Sequence, residues 1–124
     1  MSKSLVGVVA VLAVIVLSGC DLFKGQQPSG PAVQEVSVVL KEWQIIPARL
    51  TVKAGRVRFV VKNEGTVDHG FEVEGPGLEE EIDPFPPGRT RTLELDLAPG
   101  TYEVYCQVPG HEELGMKGEL IVKP

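Results

Sequence analysis

From residue 36 onward the apolar side chains return at every second position, and this period confines the chain to β-structure. Val36, Val38 and Leu40 alternate with more exposed neighbours. Leu50 and Val52 do the same, as do Val57, Phe59 and Val61, then Leu93, Leu95 and Leu97. Successive strand positions point to opposite faces, so each run buries one face and leaves the other to water. Turn-forming sequences separate the runs at Ala54-Gly55, Asn63-Glu64-Gly65, Gly75-Pro76-Gly77 and Pro99-Gly100. No segment combines a helical period with caps. Short strands at this spacing predict an all-β sandwich or barrel. Residues 78–91, which carry Pro84, Pro86, Pro87 and Gly88, read as a long connection rather than a strand.

The alternation does not begin at the N-terminus. Lys3 is followed by thirteen residues, Leu5 to Leu17, without a polar side chain, and then by Leu17-Ser18-Gly19-Cys20. A basic start, a short apolar run and small residues at a cut site describe an export signal over residues 1–19. The run is shorter than the roughly 20 residues that span a bilayer. Its ending resembles the lipobox of bacterial lipoproteins. The resemblance implies that Cys20 is lipidated and becomes the first residue of the mature protein, the alternative being an uncleaved anchor helix. Both place the rest of the chain outside the cytoplasm, held at a membrane. Residues 20–34, rich in Gly, Gln, Pro and Ser, read as the lipidated cysteine and a flexible tether. One domain is left, over residues 35–124.

Two cysteines in an exported chain ordinarily suggest a disulfide. A lipidated Cys20 has no free thiol, which leaves Cys106 alone, and metal ligation is one reason for such a thiol to be kept. The net charge of −5 argues against nucleic acid, whose phosphates need a basic surface, and favours a basic protein partner.

Strand phase then selects particular side chains. In the segment Thr101 to Cys106, the residues Tyr102, Val104 and Cys106 share the buried face, and His69 shares a face with Phe71 and Val73. One imidazole and one thiol therefore point into the same small core, each at a strand end. Cys106 opens a Cys-x4-His-x4-Met run that ends on His111 and Met116, with Pro109, Gly110 and Gly115 available to curl the chain back. A core histidine, a packing cysteine or a gap-filling methionine is each unremarkable alone. Here both histidines, the one methionine besides Met1 and the one cysteine besides Cys20 fall in a single constellation. Thiolate, imidazoles and a weak thioether are the donors of a blue-copper site.

Tyr102 to Val122 resembles the C-terminal copper loop and last strand of the cupredoxins, with a spacing similar to rusticyanin and auracyanin. The stretch from Ile46-Pro47 to Phe71, with Ala54-Gly55, Asn63 and His69, resembles the family's N-terminal half. The likeness covers nearly all of residues 35–124. It implies an eight-stranded Greek-key sandwich with one copper ion at one end, cycling between Cu(I) and Cu(II). It assigns His69 and His111 as imidazole ligands, Cys106 as the thiolate and Met116 as the axial thioether. Two departures stand out. Several members carry Asn or Ser after the first ligand histidine, where this chain has Gly70. Only one cysteine lies in the loop, which excludes the two-copper centre of cytochrome oxidase subunit II.

A fully ligated site suits electron transfer rather than catalysis. The expected protein is a monomeric, membrane-tethered electron carrier and not an enzyme. The alternative is an extracytoplasmic copper-binding or trafficking protein without an electron-transfer partner. In cupredoxins the second histidine passes the electron through an apolar patch, a role the resemblance gives to His111 with Val108, Pro109 and Leu114. Glu112 and Glu113 beside it, and the run Glu79-Glu80-Glu81, fit a basic redox partner such as a c-type cytochrome.

Overall fold

The computed structural model describes residues 32–124. The export signal, Cys20 and all but the end of the tether lie outside the described residues. Nine strands follow in order: β1 (Gln34–Lys41), β2 (Gln44–Ile46), β3 (Arg49–Lys53), β4 (Gly55–Asn63), β5 (His69–Gly75), β6 (Leu78–Phe85), β7 (Thr90–Leu97), β8 (Gly100–Tyr105) and β9 (Lys117–Lys123). They form a four-stranded sheet in the order β2-β1-β4-β7 and a five-stranded sheet in the order β3-β9-β8-β5-β6. β1 runs parallel to β4 and β3 parallel to β9, while the other pairs are antiparallel. The chain changes sheet between β2 and β3, at Pro47-Ala48. The result is the all-β sandwich that the alternation predicts, with nine strands instead of eight among the described residues.

The inward faces are those read from the sequence. Val38, Leu40, Leu50, Val52, Val57, Phe59, Val61, Leu95 and Leu97 are buried, and Phe71, Val73, Tyr102 and Val104 meet them from the second sheet. The Tyr102 hydroxyl, carried into the core with its ring, donates to the Ala98 carbonyl (2.9 Å), so the buried polar end is satisfied.

Residues 78–91 depart from expectation. Leu78–Phe85 is a strand that pairs with β5, from Gly75 opposite Leu78 to His69 opposite Phe85, and only the stretch between Phe85 and Thr90 connects. Two features hid it. A register shift between His69 and Phe71 puts the two buried side chains, Ile82 and Phe85, three positions apart, which breaks the period of two. Moreover, β6 is an edge strand, where charge and proline are tolerated because one side of the ladder has no partner. The Glu79-Glu80-Glu81 run lies on this edge.

At one end of the sandwich lie the C-termini of β1, β4 and β8 and the N-termini of β5 and β9. The Phe59 and Phe71 rings, both fully buried with centroids 5.6 Å apart, join the two sheets beneath that end. Removing Phe59 opens a cavity between them. Phe59→Ala should destabilise the domain by about 3–5 kcal/mol in denaturant unfolding, and a loss below about 1 kcal/mol would mean that the sheets do not close on this pair.

Candidate metal centre

His69 is the first residue of β5 and Cys106 the first after β8, so the pleat turns both side chains into the end of the core, where each is fully buried. Between Cys106 and β9 the chain folds into a tight loop. Cys106 N–H donates to the Met116 carbonyl (3.0 Å), Met116 N–H to that of His111 (3.1 Å) and His111 N–H to that of Val108 (3.0 Å). Gly110 (φ 86°) and Gly115 (φ 117°) make the left-handed turns this path needs. The loop returns His111 over Cys106 and leaves the Met116 side chain fully buried.

Three donor atoms converge. His69 Nδ1 lies 3.2 Å from His111 Nδ1 and 4.0 Å from Cys106 Sγ, and Sγ lies 3.5 Å from His111 Nδ1. Bonds of about 2.0 Å to imidazole nitrogen and 2.3 Å to thiolate, in a trigonal plane, would set such donors roughly 3.5–3.8 Å apart. The spacing therefore fits one 3d ion, and two imidazoles with a thiolate make that ion copper. Among the described residues this is the single group of three or more His, Cys, Asp or Glu placed to hold a metal. Of the four residues singled out in the sequence, the structure gathers His69, Cys106 and His111 and ties Met116 to Cys106 through the backbone.

Neighbouring groups shape these donors. Burial is the main influence holding His111 below the usual histidine range, and His69 adds to it while Glu42 opposes it; both burial and His69 favour the neutral ligating form. Gly70 donates its N–H to Cys106 Sγ (3.3 Å), a bond that withdraws electron density from the sulfur. Gly70, where several family members carry Asn or Ser, thus reaches the cysteine through its backbone alone. Asn63, from the end of β4, ties the neighbouring loops: its Nδ2 donates to the Val67 (2.9 Å) and Phe85 (2.8 Å) carbonyls, and its Oδ1 accepts from Gly65 N–H (2.9 Å).

Two residues of the β1–β2 turn were not singled out in the sequence. Glu42 Oε1 lies 3.0 Å from His69 Nε2 and accepts from the backbone N–H groups of Thr66 (2.7 Å) and Val67 (3.1 Å). The Thr66 bond is the largest of the influences that bring its carboxyl down to about 2. Trp43, the chain's one tryptophan, sets its ring edge-on to His111 with centroids 4.7 Å apart. No local motif announces either residue, because turn residues gain their contacts only when distant loops arrive.

A β-sandwich with two imidazole nitrogens and a thiol sulfur gathered at one end is built as a mononuclear copper protein. The sequence matches the family model of the Cupredoxin-like domain over residues 8–122, and the chain belongs to that family. Iron uptake system component EfeO of Escherichia coli (strain K12) is 30% identical over 92 residues, covering 73% of this chain and 24% of that protein. The chain thus spans about a quarter of the length of the curated relatives it matches. Auracyanin A, a "blue" copper protein from the green thermophilic photosynthetic bacterium Chloroflexus aurantiacus, has a TM-score of 0.65 at 24% identity, covering 74% of this chain and 100% of its own. A multicopper oxidase reaches a TM-score of 0.66 at 21% identity, over 79% of this chain and 45% of the oxidase. The two structures share the fold.

Gly70 also has a steric reason to be glycine. A Cβ there would run into the Gln107 carboxamide, which is held by bonds from its Nε2 to Glu81 Oε2 (3.0 Å) and the Ile82 carbonyl (2.9 Å). Gly70→Ala should therefore cost about 1–3 kcal/mol, and Gln107→Ala in the same chain should recover most of that loss. Additive effects in a double-mutant cycle would show that the two residues do not compete for this space.

Proposed function

We propose that the chain is an extracytoplasmic, membrane-tethered single-copper electron carrier. The convergence of the two Nδ1 atoms and Sγ at the end of the sandwich carries this reading. In it His69, Cys106 and His111 would hold the ion and Met116 would add a weak thioether donor. Copper held there would supply one-electron exchange between Cu(I) and Cu(II). His69, Cys106 and Met116 exclude water through their burial, and the loop hydrogen bonds hold the donors in place. His111 is half-buried, which makes it the route to the surface. Trp43, Val108, Pro109 and the exposed Leu114 give that route an apolar rim. Four protein donors leave no open position for a substrate, in keeping with a carrier rather than an enzyme. The tether rests on the sequence, through the export signal and Cys20.

The match to EfeO favours a second reading, in which the domain binds or delivers metal without an electron-transfer partner. The same ligands serve both readings, but a thiolate with two imidazoles is a softer set than iron uptake calls for.

The proposed partner is a basic redox protein, such as a c-type cytochrome, that docks on the monomer over His111. Glu112 and Glu113 follow that residue directly. Glu79, Glu80 and Glu81 on β6 join Glu72 around a cavity of about 250 Å³ and form a second acidic cluster. Charges of this kind chiefly steer encounter, and their reach shrinks to about 8 Å at physiological ionic strength. In stopped-flow reduction of a basic cytochrome by the reduced protein, the rate should fall as salt rises. Replacing both Glu112 and Glu113 by Gln should slow association by up to about 10-fold at low salt and flatten the salt dependence, with the copper spectrum unchanged. Equal rates and slopes for the two proteins would remove these charges from docking. In the same assay Cys106→Ser should abolish both transfer and the intense visible absorption, because a hydroxyl is a hard donor that cannot replace the thiolate. Transfer at the wild-type rate by that variant would overturn the carrier reading.

A further inference from the structure

One carboxylate oxygen, Glu42 Oε1, meets the far side of a proposed ligand, and we infer that Glu42 is a positioning residue for the metal centre, fixing the tautomer and orientation of His69. The inference rests on the copper reading and deepens it. His69 has two ring nitrogens with different neighbours. Nδ1 faces His111 and Cys106, while Nε2 lies 3.0 Å from Glu42 Oε1. An ionised carboxylate only accepts hydrogen bonds. Nε2 must therefore carry the proton of the neutral ring, which leaves the lone pair on Nδ1, aimed at the other two donors. A ligand imidazole backed by a carboxylate is also a more basic ligand.

The surroundings of Glu42 are fitted to this contact. The same oxygen takes the N–H groups of Thr66 and Val67, so the carboxylate is anchored to the loop that leads into His69. That loop is fastened to β1 by Glu64 N–H donating to the Leu40 carbonyl (2.9 Å). Gly65 makes room for the pair: a Cβ there would lie 2.5 Å from Glu42 Oε1 and 2.7 Å from His69 Nε2. The His69 side chain is fully buried, whereas that of Glu42 is 25% exposed. The negative charge therefore keeps some contact with water while its hydrogen bond reaches the buried ring.

A loop clamp alone would also use the bonds to Thr66 and Val67, so the test needs readouts on His69 and on the ion. The full-length chain is labelled with 15N, and long-range 1H–15N spectra of the copper-free protein report the His69 tautomer. Copper affinity and midpoint potential are then measured for the wild type, Glu42→Gln and Glu42→Ala. The wild type should show the Nε2–H tautomer alone. Glu42→Ala should show a tautomer mixture and bind copper about 10- to 100-fold more weakly. The carboxamide oxygen of Glu42→Gln can still accept from Nε2, which should restore the tautomer and most of the affinity. Its missing charge should raise the midpoint potential above that of the wild type. An Nδ1–H wild-type tautomer, or an unchanged tautomer and affinity in Glu42→Ala, would overturn the inference. So would a Glu42→Gln potential equal to the wild type, a result that stands even if Glu42→Ala fails to fold. A wild type with the expected tautomer but no bound copper would instead sink the copper reading, leaving the orienting contact intact.

Discussion

Cys106 N–H bonds to the Met116 carbonyl, one step past the pairing of Tyr105 with Lys117 that ends the β8–β9 ladder. The cysteine and the methionine are thus held opposite each other as a further rung of the sheet, and the intervening loop must close over them. That constraint places His111. Bound through Met116 N–H to its own carbonyl, it has little freedom except to lie across the end of the core, above Cys106 Sγ. A sheet that ended one residue earlier would release the loop and scatter the donors.

The second half of the centre depends on a different strand pair. His69 opens β5, which pairs with β8 through Glu72 and Tyr105, Val73 and Val104, and Glu74 and Glu103. The ladder sets its distance from Cys106, and the Gly70 N–H bond to Sγ completes the join. The strand pairing and the bonded loop together set the donors 3.2–4.0 Å apart. Ligands held by paired strands and a bonded loop have little to rearrange when the charge of a centre changes, which suits the proposed electron transfer.

Strand phase made His69 and Cys106 legible in the sequence, because the pleat repeats every two residues and each lies in register with buried neighbours. Spacing made His111 and Met116 legible, since the eleven residues from Cys106 to Met116 form a loop short enough to act as one unit. Glu42 lay beyond reach. It contacts a histidine 27 residues away, from a turn whose own sequence points to nothing but a turn. β6 was hidden by the same logic in reverse: its bulged pairing with β5 breaks the period on which strand reading depends, and its prolines and acids resemble a loop.

In the proposed centre His69, Cys106 and His111 hold one copper ion, with Met116 as a weak fourth donor. X-ray absorption at the copper edge tests this most directly, applied to the loaded protein in both oxidation states. One short sulfur and two imidazole nitrogens are expected around each copper, nearly unchanged between the two states. A shell of nitrogen and oxygen alone, or a sulfur that leaves on reduction, would contradict it.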